Sequence, residues 1–280
     1  MVHADGSRQL RFTDVTDQSK IKALGYGMGV ITGDVNNDRT VDLYVTNYGH
    51  NQLWRNNGNG TFSDVTAATQ TDDPAWSTSA AFFDYDRDGW LDLYVANYVR
   101  ATPHKNPTCY AKSSARDYCG PSAFEAFPDR LFHHRQDGTF EDVSEAAGIT
   151  REYGAGLGVV TADFNADGWI DIYVANDGDP NQLWINQHNG TFKNEALWAG
   201  CAVNRLGLAE AGMGVDAGDF DGDGDEDLFM THLMEETNTL YVNLGRGLFV
   251  DHTIEAGLAS PSLRYTAFGT GSLSPPQPSA

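Results

Sequence analysis

Asp84–Val95 reads DYDRDGWLDLYV, and three further stretches repeat it: DVNNDRTVDLYV from Asp34, DFNADGWIDIYV from Asp163 and DFDGDGDEDLFM from Asp219. Self-similarity at a fixed period marks a repeat architecture. A run of small residues precedes each copy: GYGMGVITG, STSAAFF, GAGLGVVTA and AGMGVDAG. Segments such as NQLWRNNGNGTFSDV and NQLWINQHNGTFKNE follow. The small-residue run reads as a first strand, DLYVTN and its equivalents as a second, and QLWRN as a third. An Asn-Gly turn then leads into a fourth strand headed by Phe62, Phe140, Phe192 or Phe249. Four short strands per unit of 50 to 56 residues, with no sustained helical period, predict the blades of an all-β propeller.

The expected blades cover about 25–66, 76–144, 154–195 and 211–252 of a propeller spanning 1–271. The second is lengthened by an insertion over 99–127. Phe12–Thr16 (FTDVT) matches the last strand of a unit and Tyr265–Gly271 (YTAFGTG) the first strand of another, so partial strands are expected at both ends. SLSPPQPSA, 272–280, reads as a disordered tail.

In each copy, acidic or amide residues stand at positions 1, 3, 5 and 9. Alternate side chains on a tight loop converge on a cation, and the proposed ligands follow from that spacing. They are Asp34, Asn36, Asp38 and Asp42; Asp84, Asp86, Asp88 and Asp92; Asp163, Asn165, Asp167 and Asp171; and Asp219, Asp221, Asp223 and Asp227. Position 7, which is Thr40, Trp90, Trp169 or Asp225, adds a backbone carbonyl. An all-oxygen set selects a hard cation, and a flexible loop suits Ca²⁺ better than the smaller, rigidly octahedral Mg²⁺. About four Ca²⁺ are expected. An EF-hand would need Glu at position 12, where Val45, Val95, Val174 and Met230 stand. Position 6 must turn sharply and is Gly89, Gly168 and Gly224, but Arg39 in the first loop. A left-handed Arg costs ~1 kcal/mol or more, making that loop the weakest. The competing reading, that these residues are mere turn formers, loses ground with each copy that keeps the register.

These residues resemble the FG-GAP or VCBS repeats of integrin-type β-propellers. Together with RDYCGP at Arg116–Pro121, PDRLF at Pro128–Phe132 and DGTFEDVS at Asp137–Ser144, they resemble the ASPIC/UnbV and cartilage acidic protein group. The resemblance implies calcium loops between the first two strands of each blade and a secreted or cell-surface setting. It also implies more blades and a C-terminal domain, so this chain is expected to be a truncated member of the group.

The formal charge of -21, from 18 Lys plus Arg against 39 Asp plus Glu, argues against nucleic-acid partners and anionic membrane surfaces. No stretch approaches the ~20 apolar residues of a membrane span. The opening MVHADGSRQLRF has no apolar signal core, so no signal peptide is expected in this chain. Weak all-oxygen sites fill where calcium is abundant, so the expected location is outside the cytosol: extracellular, cell-surface or periplasmic.

Cys109 and Cys119 lie ten residues apart in the insertion and are read as a disulfide, the alternative being two reduced thiols; Cys201 is left over and expected buried. The insertion carries Arg100, Lys105, Lys112 and Arg116 against Asp117 and Glu125, with Tyr110, Tyr118, Phe124 and Phe127. It is the candidate contact for an unidentified protein or glycan partner, or else its aromatics cap a neighbouring blade.

No HExxH or G-x-S-x-G motif is present, and His133 and His134, adjacent in a strand, would point to opposite faces. The favoured function is a calcium-loaded scaffold for binding or adhesion. The alternatives are a carbohydrate lyase, dehydratase or hydrolase on the same propeller, or a lectin using Trp54 and Trp184, whose repeat position favours packing between blades. The sequons at Asn59 and Asn189 read first as turn chemistry, and GYGMG and GAGLG as crowded inner strands rather than phosphate loops.

Overall fold

A computed structural model of the chain describes residues 12–102, 107–111 and 113–271. The expected tail at 272–280, the first eleven residues, Lys105 and Lys112 lie outside the described residues. The first sheet consists of β1 (Tyr26–Gly33), β2 (Asp42–Tyr48), β3 (Gln52–Asn56) and β4 (Phe62–Asp64), paired in that order. The second has β5 (Ser77–Phe83) and β6 (Asp92–Asn97). The insertion then contributes a separate hairpin, β7 (Cys109–Tyr110) with β8 (Arg116–Asp117), before β9 (Arg130–His134) and β10 (Phe140–Asp142) complete the sheet. The third holds β11 (Gly156–Ala162), β12 (Asp171–Asn176), β13 (Gln182–Asn186) and β14 (Phe192–Asn194). The fourth holds β15 (Val215–Gly218), β16 (Asp227–Met230), β17 (Thr239–Asn243) and β18 (Phe249–Asp251). All neighbouring strands are antiparallel, as expected for an all-β propeller of four-stranded blades.

The buried side chains lie in the seams between successive blades. Tyr44, Leu53, Leu93, Phe132 and Phe140 join the first blade to the second. Tyr94, Leu131, Ile172, Trp184 and Phe192 join the second to the third. Tyr173, Leu183, Cys201, Leu228, Tyr241 and Phe249 join the third to the fourth. No blade buries its apolar face alone, which is the physical reason for stacking repeats. Trp54 and Trp184 are buried, so they pack and are not free to stack on a sugar.

Small residues in the inner strands serve close approach. A Cβ on Gly29 would come within 2.6 Å of the Thr78 carbonyl, and one on Gly158 equally near that of Met213. No helix follows either run.

Neither terminal segment pairs into a ladder among the described residues. Phe12–Thr16 leads into the one-turn helix α1 (Thr16–Ser19). Such turns also follow β4, β10 and β14, as α2 (Thr66–Thr69), α3 (Ser144–Ala147) and α4 (Ala196–Ala199). An aspartate two residues before three of them accepts the first amide, Asp14, Asp64 and Asp142 binding those of Thr16, Thr66 and Ser144. At the other end, Phe268 and Gly269 lie against Gly214, and the Ala267 amide donates to the His232 carbonyl. That segment thus runs along the fourth blade's inner edge without a strand's regular pairing.

Candidate metal centres

The four acidic loops all join a first strand to a second, so they share one end of the blades. Their wiring is the same in each copy. The position-1 carboxylate accepts the amides of positions 5 and 6: Asp38 and Arg39 on Asp34, Asp88 and Gly89 on Asp84, Asp167 and Gly168 on Asp163, Asp223 and Gly224 on Asp219. The position-3 oxygens of Asn36, Asp86, Asn165 and Asp221 also accept the position-5 amide. Asp38, Asp88, Asp167 and Asp223 in turn accept the amides of Thr40, Trp90, Trp169 and Asp225. These bonds curl the backbone around the side chains and bring their oxygens together. The curl needs left-handed residues at two places. Position 6 has φ of 70° at Arg39 and 88°, 87° and 97° at Gly89, Gly168 and Gly224; position 4 is Asn37, Arg87, Ala166 and Gly222, also at positive φ.

The position-9 aspartates are fully buried. Each braces the blade with both oxygens. Asp42 accepts the amides of Val35 and Asn56, Asp92 those of Tyr85 and His134, Asp171 those of Phe164 and Asn186, and Asp227 those of Phe220 and Asn243. Burial, only partly offset by these amides, pushes the carboxyls of Asp92 and Asp171 up to about 7 and raises those of Asp42 and Asp227. Burial followed by repulsion from Asp88 raises Asp86. A bound cation would relieve carboxyls held so closely.

Three groups of donor atoms lie within 4.8 Å of one another among the described residues: Asp84, Asp86 and Asp88; Asp219, Asp221 and Asp227; and Asp86, Asp92 and His133. Each could hold a metal ion. In the first and third loops position 3 is an amide, whose nitrogen donates to the position-5 carboxylate, Asn36 to Asp38 at 3.0 Å and Asn165 to Asp167 at 2.9 Å. The four loops supply oxygen donors throughout, a set that fits a hard divalent ion.

Three neighbours of the loops escape a reading of spacing alone. His133 approaches Asp92 and Asp86 from β9. Gln136 donates to Asp88 at 2.8 Å, and His188 lies 2.8 Å from Asp167 while stacking on Trp169. Gln136 and His188 share a left-handed position in their hairpin turns with Gly58 and Gly245. Aligning the turns of the four units would have flagged it.

At the opposite end of the blades, Tyr26, Tyr48, Trp76 and Tyr98 pack edge to face in succession, with centroids 6.4, 5.2 and 5.0 Å apart. The insertion leaves β6 and enters β9 at this end. Cys109 and Cys119 form a disulfide, so the insertion is tied. Together with the blades it lines an open cleft of about 640 Å³, bordered by Trp76, Tyr98, Arg116, Asp117, Tyr118 and Phe124, among others. Tyr110 and Tyr118 are exposed, while Phe127 lies under the Arg100 guanidinium, 4.1 Å away.

At the sequon turns, Asn59 and Asn189 accept both the amide and the hydroxyl of the following threonine. Asp137 does the same for Thr139, with no sequon, so the turn alone accounts for the residue type. No helix among the described residues is long and apolar enough to cross a membrane.

Known proteins place this architecture. A family model for the FG-GAP-like repeat matches residues 34–95, 125–174 and 163–230, together more than half of the chain. Cartilage acidic protein 1 is similar over 273 residues, at 27% identity in Homo sapiens and 26% in Mus musculus, covering 94% of this chain. The aligned region is 36% and 37% of those relatives' own lengths, so the chain spans little more than a third of them. Among solved structures, an Agrocybe aegerita lectin described as recognising non-reducing terminal N-acetylglucosamine overlays with a TM-score of 0.40 at 16% identity. It covers 78% of this chain and 49% of its own. With four antiparallel blades, an acidic loop between the first two strands of each, and a family match running through all four loops, the chain belongs to the FG-GAP-like repeat family.

Proposed function

We propose that this chain is a calcium-loaded propeller scaffold, acting outside the cytosol and presenting its insertion to a protein or glycan partner. The observation that carries the reading is the loop wiring, repeated in four blades, which gathers oxygen donors with no lysine or arginine ion-paired to them among the described residues. The proposed ligands are the side chains at positions 1, 3, 5 and 9, with the position-7 carbonyls of Thr40, Trp90, Trp169 and Asp225. Ca²⁺ accepts 6–8 oxygens in a flexible shell, whereas Mg²⁺ demands a tight octahedron. Four Ca²⁺ would add +8 and bring the formal charge from -21 to -13. Each site held at ~100 times its dissociation constant contributes ~2.7 kcal/mol, so four supply about 10 kcal/mol, comparable with the whole stability of a domain. Abundant calcium and a disulfide both belong to compartments outside the cytosol.

The aromatic end supports a partner site there. The cleft under the insertion combines ring surfaces with Arg116 and Asp117, and the disulfide fixes its rim. Metal at one end then stiffens the blades that carry the binding surface at the other.

Thermal unfolding in Ca²⁺, in Mg²⁺ and in EGTA tests the calcium reading. Melting temperature is expected to fall by ten degrees or more in EGTA, on the order of several kcal/mol, and Mg²⁺ should restore little of it. Asp88→Ala or Asp223→Ala should cost more than Asp38→Ala. Equal melting in EGTA and Ca²⁺ would remove the basis for the reading.

A further inference from the structure

The second blade differs from the other three at one place on its third strand. His133 on β9 stands opposite Glu141, just as Arg55, Ile185 and Val242 stand opposite Ser63, Lys193 and Val250 in the other blades. An apolar residue or an arginine at this place offers no metal ligand. His133 places Nδ1 3.2 Å from Asp92 Oδ1 and 3.5 Å from Asp86 Oδ2. A tetrahedral zinc site with bonds of about 2.0–2.1 Å separates its donors by about 3.3–3.4 Å. Both edges that meet at the imidazole therefore already have nearly that length.

The surroundings hold these donors in place. Tyr85 packs edge-on against the His133 ring at 5.8 Å, and Asp92 is anchored by the amides of Tyr85 and His134. Asp84 and Asp88 complete the carboxylate wall around Asp86. Imidazole nitrogen combined with carboxylate oxygen suits first-row transition ions, whereas calcium sites are built from oxygen alone.

The geometry points to a mixed nitrogen–oxygen site at the second loop, formed by His133, Asp86 and Asp92, which takes a divalent transition ion such as Zn²⁺ in preference to Ca²⁺. This assignment rests on the reading of the loops as cation sites and distinguishes one of the four from the rest. A hydrogen bond between imidazole and carboxylate, with no metal, would produce similar distances, so the experiment must detect nitrogen on the metal itself.

The full chain, stripped with chelator, is titrated with Zn²⁺ at neutral pH against a chromophoric indicator in the presence of excess Ca²⁺. In parallel, Mn²⁺-loaded protein is examined by pulsed electron paramagnetic resonance for ¹⁴N coupling. One Zn²⁺ should resist displacement by Ca²⁺, and ¹⁴N coupling should be present. His133→Ala should weaken that zinc site at least tenfold and abolish the coupling. His133→Gln, which offers an amide oxygen instead, should also lose zinc preference while keeping any Ca²⁺-dependent rise in melting temperature. Zinc freely displaced by Ca²⁺, or zinc binding and nitrogen coupling that survive both substitutions, would overturn the assignment. Calcium stabilisation without zinc retention sinks this site alone. Retained zinc together with nitrogen coupling on Mn²⁺, but without calcium stabilisation, sinks the calcium reading alone, and a chain that binds neither ion sinks both.

Discussion

Asp129 occupies a place that the other three blades give to asparagine. Asn51, Asn181 and Asn238 accept the amides of Asn47, Asn176 and His232 through their side-chain oxygens, and Asp129 accepts that of Asn97 at 2.7 Å. Its second oxygen takes the Tyr94 hydroxyl. Complete burial pushes its carboxyl up to about 7, the Asn97 amide and Tyr94 only partly offsetting it, and the Asp73 carboxylate pushes the same way. A carboxyl whose folded value exceeds its unfolded value near 4 contributes stability below pH 4, and that contribution is lost as pH rises to 7. Asp129→Asn should therefore be more stable than the parent at pH 7.5, with the difference vanishing toward pH 4. Chemical denaturation of both proteins across that range, in EGTA, checks this. Asp92 and Asp171 shift in the same direction but are common to both proteins, so they cancel in the comparison.

At the scale of the loop, strain and ligation are separable. Arg39 holds φ at 70° with an exposed side chain, where the three sister loops use glycine. Arg39→Gly should relieve ~1 kcal/mol of left-handed strain, less a few tenths for the freer unfolded chain. An increase of about 1–3 °C in melting temperature is expected for a chain of this size, with or without calcium. A decrease would show that Arg39 holds the loop by its side chain. The 1, 3, 5, 9 spacing and the glycine at position 6 were legible because a loop's donors are contiguous in sequence. His133 was not, since it lies 41 residues beyond Asp92 and reaches the loop only once the insertion has returned the chain to β9. The bracing role of the position-9 aspartates was hidden for a related reason, because one of their two partners sits on the third strand. Repeat spacing likewise revealed the four-stranded blades, whereas the one-turn helices after their outer strands have too few residues to show a period.

Across the whole molecule, the blades separate two features by their length. Acidic loops and hairpin turns share one end, while the insertion and the row of Tyr26, Tyr48, Trp76 and Tyr98 share the other. The sequence offered the insertion as a candidate contact, or as a cap on a neighbouring blade, but could not say which end it occupies. That follows only from the antiparallel register of β5, β6 and β9. Because the apolar seams lie between blades, loosening a loop at one blade should propagate through its seam to the next. Cys201 sits in the seam between the third and fourth blades, fully buried and with its thiol pushed far up by burial. With the other two cysteines in a disulfide, it is the sole free thiol of the chain. It therefore serves as an intrinsic timer of blade separation. An alkylating reagent should leave the calcium-treated protein unmarked for as long as the seam stays shut. After chelation it should label this one position at the rate at which the seam opens, and unchanged labelling would mean that the acidic loops do not govern the joint.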